Sequence, residues 1–338
     1  DPSQAIRLGL KKSQDFFRKW YGTYSHKSIA NTVWITMAAT NVSQLFAREL
    51  AYDQLAFFIE QSTRYVKWDT SKMFLDPRIM ASLHKDRFLG ALEELTRGYS
   101  ELTNFAFEFY QERNPFDEWL KKQSEKTKKA DPQVQRKSYE RQIMGAALDV
   151  ARFLLPQATR TNIAWILDAR STEFDIAAWK GHPLAEMREA ARLIEEHAGQ
   201  IAPSLLKYTE ESQYYGEKLR GYPGIVKHFP VKPFEKGVRV ISYDPDSLNK
   251  IIAHTLKRQC SGGTFEQRYE EVERMSFEDK MNILKKTVAK RGDYDEWVGT
   301  DEDFDLVKAT VEIRTDIGAT RDWRRHQKWD RSEPIITL

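Results

Sequence analysis

Six consecutive residues, Glu60, Gln61, Ser62, Thr63, Arg64 and Tyr65, set a hydroxyl and a guanidinium two positions apart just after a helical segment. Such a pair suits a phosphate, because arginine offers a planar fork of donors and serine adds one more charge-assisted bond. Further arginines stand at Arg152, at Arg170 after Asp168, and at Arg188 two residues past Glu186, and a basic cluster at Arg321, Arg324, Arg325 and His326 comes near the other end. His26, Lys27 and Ser28 form a small polar group close to the start. Each has a plainer reading. Arg64 and Ser62 also suit a loop tied to a helix end, Arg170 and Arg188 suit partners for Asp168 and Glu186, His26 suits a turn, and the cluster around Arg325 suits a solvated face. No metal site is expected: His182 and Glu186 are four apart, but Pro183 lies between them and no third ligand accompanies them. No Walker or dinucleotide glycine pattern occurs.

The elements that must position these groups can be read from periodicity. Apolar residues at helical spacing predict a helix over Ser3 to Trp20, stopped by Gly22. The β-branched and aromatic stretch Thr32 to Met37 predicts a strand, Thr40 and Asn41 a turn, and Val42 to Leu50 a helix. Helices follow over Arg87 to Gln111, closed by Asn114 and Pro115, over Tyr139 to Leu155, stopped by Pro156, and over Pro183 to His197, with the proline in its first turn. Between them, Lys121, Lys122, Lys126, Lys128 and Lys129 read as a solvated loop or helix end, with an RNA-gripping tract as the alternative. Trp119, Trp165 and Trp179 read as core. After Lys207, glycines and prolines crowd together as in a linker. Beyond it a strand is expected at Val238 to Tyr243, helices at Ser247 to Gln259 and Thr264 to Lys290, and a strand at Val307 to Arg314. A turn at Thr315 and Asp316 then leads into a helix from Gly318 to Trp329. This last order echoes Thr32 to Leu50.

At 338 residues the chain is long enough for two or three domains with real cores. Hydrophobic residues make up 41% and charged residues 30%, which excludes disorder and fibrous structure. Lysine and arginine outnumber aspartate and glutamate by 53 to 50, so no broad cationic field for nucleic acid is present and anions must be held locally. The single cysteine, Cys260, excludes an intrachain disulfide and a thiolate metal cluster. No apolar run reaches the ~18 residues of a membrane span and no signal peptide is visible, so a soluble, cytoplasmic protein is expected.

The motif residues together resemble the flavin-dependent thymidylate synthase superfamily. Glu60, Ser62, Arg64 and Tyr65 resemble the back half of its signature, RHRxxSxNExSxRY. His26 and Ser28 resemble its HxSxxE element, with Asn31 where glutamate belongs. Ala151, Arg152, Leu155 and Pro156 resemble ARxxLP, Asp168 to Ser171 resemble NARS, and Glu186 to Arg188 resemble its EIR helix. Tyr52, Asp53 and Gln54 stand where the signature has RHR, whereas Arg321 to Gln327, with Glu333 eight residues after Arg325, resemble its RQWxRHR front half. There Ile335 and Thr337 replace the serine and arginine. The chain therefore reads as a tandem, partly degenerate member: a first copy over 1–207, a linker over 208–236 and a second, incomplete copy over 237–338, packing as pseudo-subunits around a composite site.

The resemblance implies an α+β fold, with helices around twisted antiparallel sheets, and a homo-oligomer. It implies a reaction in which methylenetetrahydrofolate gives a one-carbon group to uracil C5 of dUMP or UMP, with FAD supplying a hydride replenished by NADPH. Glu60, Ser62, Arg64, Tyr65, Arg170 and Arg188 would bind substrate. His26, Ser28, Arg325 and His326 would lie against the flavin. A cysteine nucleophile is not needed. The alternative is a homologue that binds a nucleotide or a partner without turnover, which the changes at Tyr52, Asp53, Gln54, Asn31 and Asp168 favour.

Overall fold

In the structure, a computed structural model, the described residues are 2–69, 71–220, 237–260, 262–290, 292, 306–316, 318–323 and 330. The chain divides into two compact units, Asp1–Phe229 with Ile317–Leu338, and Pro230–Asp316.

The first unit is built on a three-stranded antiparallel sheet. Strand β3 (Arg160–Asp168) lies at its centre, with β1 (Trp34–Ser43) and β2 (Phe57–Glu60) on either side. Neither β2 nor β3 is evident from periodicity. The register places Trp165 opposite both Met37 and Phe58, and Ala164 opposite both Ala38 and Ile59. Because side chains alternate across a strand, one face takes Ile35, Ile163, Trp165 and Leu167 into the core. Onto that face pack α2 (Gln44–Leu50), α8 (Ala169–Lys180) and α9 (Ala185–Ile201), through Phe46, Leu50, Ile176, Trp179 and Met187.

Two expectations at this sheet are corrected. Thr40 and Asn41 do not turn the chain. Strand β1 continues through them with a bulge between Ala39 and Val42, and Asn41 takes a positive φ of 59°. Its amide is held by the Asn162 side chain at 3.0 Å, so an asparagine tolerant of the left-handed region replaces the turn. The helix begins only at Gln44, because the Ser43 hydroxyl caps the Phe46 amide at 2.9 Å. Likewise Pro183 precedes α9 rather than starting it, Leu184 being the N-cap.

The N-terminal helix α1 (Pro2–Phe17) runs into a π turn over Arg18–Thr23 and a 3-10 turn over Lys27–Thr32. A separate helical arm carries α3 (Pro77–Met80), α4 (Lys85–Arg113), α5 (Phe116–Lys121), α6 (Glu125–Lys128) and α7 (Pro132–Ala151). Helix α4 ends at the Asn114 cap before Pro115, as the sequence indicates. Tyr99 and Leu148 join the two long helices of the arm, and Trp119 packs with Tyr139. The lysine tract falls on α5 and α6, where Lys121 pairs with Glu118 at 2.6 Å and Lys128 with Glu125 at 3.0 Å on an exposed surface. Trp119, Trp165 and Trp179 are all buried, as expected. Part of the anticipated linker is helical, in α10 (Gln213–Arg220). Short α14 (Thr320–Trp323) stands where a longer helix was expected, most of which lies outside the described residues.

Among the described residues, the second unit holds a two-stranded antiparallel ribbon, β4 (Val238–Tyr243) with β5 (Ala309–Ile313), and three helices, α11 (Ser247–Gln259), α12 (Phe265–Glu273) and α13 (Phe277–Val288). A single helix expected from Thr264 is two helices, since Ser276 caps the Asp279 amide and restarts the chain. Ile252, Ala253 and Val272 form its small core. The fold is thus α+β, helices with small antiparallel sheets, as anticipated.

Candidate functional site

Glu60 ends strand β2, opposite Ile163, so the segment Gln61 to Tyr65 leaves the sheet directly rather than following a helix. Its departure is fixed at both sides. The Gln61 amide donates to the Asn162 carbonyl at 2.9 Å, and the Asn162 side chain donates to Gln61 Oε1 at 2.8 Å. Farther on, Trp68 is buried with Tyr99, Leu148 and Leu155, and its amide donates to the Tyr99 hydroxyl. Between these anchors Ser62 Oγ accepts the Arg64 amide at 3.2 Å, a local serine turn.

Arg64 reaches α7. Its Nε lies 3.1 Å from Asp149 Oδ1, and Arg152 Nε lies 3.1 Å from the same oxygen. Two guanidinium groups therefore share one carboxylate, and the trio keeps a net positive charge. Arg152 is buried, whereas the Arg64 side chain is 42% exposed and remains within reach of a ligand. The loop passes close to Gly145, one turn before Asp149: a Cβ there would stand 3.7 Å from the Arg64 carbonyl and 3.9 Å from the exposed Tyr65 ring, ordinary contact distances. Asp149 was not singled out from the sequence. The signal was its place three residues before Arg152 on one helix face.

The remaining expected residues are distributed differently. Asp168 caps α8, accepting from the Arg170 and Ser171 amides at 3.1 Å and from the Ser171 hydroxyl at 2.8 Å. Aspartate thus performs the capping that asparagine performs equally well. Arg170 is exposed at that helix start, near enough to Tyr21 to lower its phenol against the upward push of burial and Glu173. Arg188 is occupied structurally: its Nη1 donates to the carbonyls of His182 at 2.6 Å and Pro183 at 3.0 Å. Glu186 is not its partner. That carboxylate instead takes the Ser43 amide at 2.7 Å and the Ser43 hydroxyl, joining α9 to the start of α2. Burial pushes its pKa up, against the lowering effect of Ser43 and Arg160. His182 is buried, its Nδ1 accepting the Leu184 amide at 3.0 Å. His26 is exposed beside the rings of Trp20, at 5.6 Å, and Tyr24, at 6.4 Å, and Ser28 is exposed in the following 3-10 turn. Arg325, His326 and Glu333 lie outside the described residues.

Two carboxylate arrangements escaped sequence reasoning. Glu173, buried on α8, accepts the Tyr21 hydroxyl at 2.5 Å and the amides of Lys207 and Tyr208 at 2.7 and 2.6 Å. Asp175, on the same helix, lies near enough to Asp53 for the two carboxyls to interact. Burial pushes its carboxyl well above the usual range, and the charges of Asp53 and Asp168 raise it further. Of Tyr52, Asp53 and Gln54, which stand where the signature has RHR, only Asp53 carries a carboxyl, and it meets the carboxyl of Asp175.

A family model described as thymidylate synthase complementing protein matches residues 2–204, and the chain belongs to that family. It is 25% identical to a UPF0159 protein of Chlamydia muridarum (strain MoPn / Nigg) over 351 residues, covering 99% of this chain and 63% of the relative. A UPF0159 protein of Thermoplasma acidophilum is 26% identical over 345 residues, covering 94% and 66%. The chain thus spans just under two thirds of the length of these relatives. A flavin-dependent thymidylate synthase of Clostridium tetani is 24% identical over 201 residues, covering 59% of this chain and 72% of the relative. Among solved structures, the flavin-dependent thymidylate synthase ThyX from Helicobacter pylori complexed with FAD and dUMP matches with a TM-score of 0.35 and 16% identity. That match covers 61% of this chain and 93% of the other.

Proposed function

We propose that this chain binds a uracil nucleotide, dUMP or UMP, with Ser62 and Arg64 gripping the phosphate and Arg152 adding charge from behind. The observation that carries this reading is the sharing of Asp149 by Arg64 and Arg152, 3.1 Å from each, at the exit of β2. A carboxylate between two guanidiniums orders them while leaving an excess positive charge, and arginine forks match phosphate oxygens. Glu60 and Tyr65 flank the grip, and exposed Arg170 offers a further cation. Arg188 is withdrawn from this role by its backbone carbonyl partners.

The activity we assign on this reading is transfer of a one-carbon group from methylenetetrahydrofolate to uracil C5, with FAD as hydride carrier and NADPH as reductant. Thymidylate synthase complementing membership over residues 2–204 supports it. Tyr52, Asp53 and Gln54 offer flavin no cation at that position, so flavin would depend on Arg325 and His326 from the second, related segment, with His26 and Ser28 bordering it. On the same reading several copies of the chain work as an assembly.

The second reading, nucleotide binding without turnover, is favoured by the departures from the signature at Asn31, Tyr52, Asp53, Gln54 and Asp168. Titration of the purified full chain with dUMP and with FAD separates the two. Binding of both ligands supports the first. Binding of dUMP alone, with colourless protein that FAD does not reconstitute, supports the second, and failure to bind dUMP removes both.

A further inference from the structure

Four rings meet on the surface where α1 ends. Phe16, Trp20 and Tyr24 recur every fourth residue, so each ring lies beside the next, with centroids 6.3 and 5.2 Å apart. His26 closes the row, 5.6 Å from Trp20. The backbone bends to put it there. Helix α1 gives way to the π turn Arg18–Thr23, Ser25 takes a left-handed φ of 56°, and the His26 amide donates back to the Trp20 carbonyl at 3.0 Å. A π turn and a left-handed serine are both uncommon, and both recur at functional sites. The row nevertheless stays in solvent, with Phe16 50% exposed, Trp20 36% and Tyr24 55%.

Cations are interleaved with these rings. Between Lys11 and Lys27 five cations meet one acid, Asp15, which pairs with Arg18 at 3.6 Å. That stretch carries +4 while the whole chain carries +3, so the near-balance of total charge conceals a local excess. Among the described residues, Lys11, Lys12, Lys19 and Lys27 meet no carboxylate. Lys12 lies one turn before Phe16 on the same face, and the Lys19 ammonium stands 5.7 Å over the Trp20 ring. Lys27 and Lys207 both stand over Tyr208, at 4.8 and 5.4 Å.

We propose that this ladder binds single-stranded nucleic acid, with bases stacking on Phe16, Trp20 and Tyr24 and phosphates meeting the lysines and Arg18. Aromatic side chains beside a cationic track hold unpaired strands without reading their sequence, because every base has a face to stack. A duplex, whose base faces are already stacked on one another, gains only the charge. A membrane surface is the poorer fit. An interfacial helix keeps its cations on the face opposite its aromatic residues, whereas here Lys12 continues the ring row and Lys19 covers the indole.

This inference goes beyond the uracil-nucleotide reading and stands without it. Fluorescence anisotropy of a labelled oligodeoxyadenylate of about 12 nucleotides, which carries no uracil, measures it on the full chain. Wild type should bind the strand more tightly than its duplex with oligothymidylate, and the affinity should fall steeply as salt rises. Tyr24→Ala and Phe16→Ala should each weaken binding roughly fivefold or more, the effect of one lost stack. Lys12→Gln combined with Lys19→Gln should lower the slope of log affinity against log salt by about 1.4, at ~0.7 per cation for a single strand. Arg64→Ala should bind the strand as wild type does. If Tyr24→Ala does not fold by circular dichroism, Phe16→Ala decides. No binding by wild type, equal affinity for the duplex, folded ring variants that bind unchanged, or loss of binding in Arg64→Ala overturns the ladder. Capture by vesicles of phosphatidylcholine and phosphatidylserine, with no binding of the strand, overturns it in favour of a membrane.

Discussion

Arg64 Nε and Asp149 Oδ1 stand 3.1 Å apart, joining the loop that leaves β2 to the last turn of α7, and Arg152 meets the same oxygen. Since the Arg64 side chain is 42% exposed, the pair adds little to stability, within the ~0–1 kcal/mol of exposed ion pairs. Its consequence is orientation. Arg64→Ala should therefore lower dUMP affinity by roughly tenfold or more, the scale of one charge-assisted bond, and leave the melting temperature nearly unchanged. Calorimetric titration alongside thermal melting checks this. Unaltered affinity would remove the phosphate grip.

Asp149→Asn is expected to behave differently. Buried Arg152 loses a counter-charge, so the variant should be less stable than wild type, and Arg64 loses its tether, so dUMP should bind more weakly. Denaturant unfolding and the same titration test both parts. A variant as stable as wild type that binds dUMP equally well would contradict the shared-carboxylate account.

Glu173 is the buried joint between α8, the N-terminal π turn and the chain at Lys207 and Tyr208. Replacing it by alanine leaves two amides and a phenol without an acceptor, at about 1–3 kcal/mol for each orphaned group. Glu173→Ala should lose several kcal/mol in denaturant unfolding, whereas Glu173→Gln, which keeps an acceptor oxygen, should lose less. Equal stability of the two would show that the acceptor is dispensable.

Burial raises the Asp175 carboxyl, helped by Asp53 and Asp168. A group whose folded pKa lies above its unfolded value, near ~3.9 for aspartate, contributes fully only at pH below the unfolded value, and the contribution is lost as pH rises through the folded one. Wild-type stability should accordingly decline as pH rises from the acid range through the folded pKa of Asp175, and Asp175→Asn should flatten that decline. Melting curves across this range provide the measurement, and parallel profiles for the two proteins would count against it.

Gly181 ends α8 where α10 crosses closely. A Cβ there would stand 2.8 Å from Gly216 Cα, a backbone atom that cannot swing aside. Gly181→Ala should cost about 1–3 kcal/mol, as overpacking does, and should loosen α10 first. Hydrogen exchange of the α10 amides would detect the change. Protection equal to wild type would mean that the two backbones are less tightly apposed.

What the sequence determined by itself was whatever a short stretch of chain decides alone. The stop of α4 at Asn114 follows from Pro115, and strand Val238–Tyr243 and helix Ser247–Gln259 lie where their residues place them. The pairing of Ser62 with Arg64, two positions apart, was legible for the same reason, although the segment leaves a strand and not the expected helix. Tertiary structure decided the rest. Ile163 to Leu167 is a short apolar run that suits a helix or a strand, and it is a strand because β1 and β2 flank it on both sides. Asn41 continues β1 instead of turning it because a side chain 121 residues away accepts its amide. Asp149 was invisible as part of a site because its partner Arg64 is distant in sequence and arrives only when Trp68 is buried against α4 and α7. Contacts between distant residues form only once loop-closure entropy is overcome by packing, so no local pattern announces them.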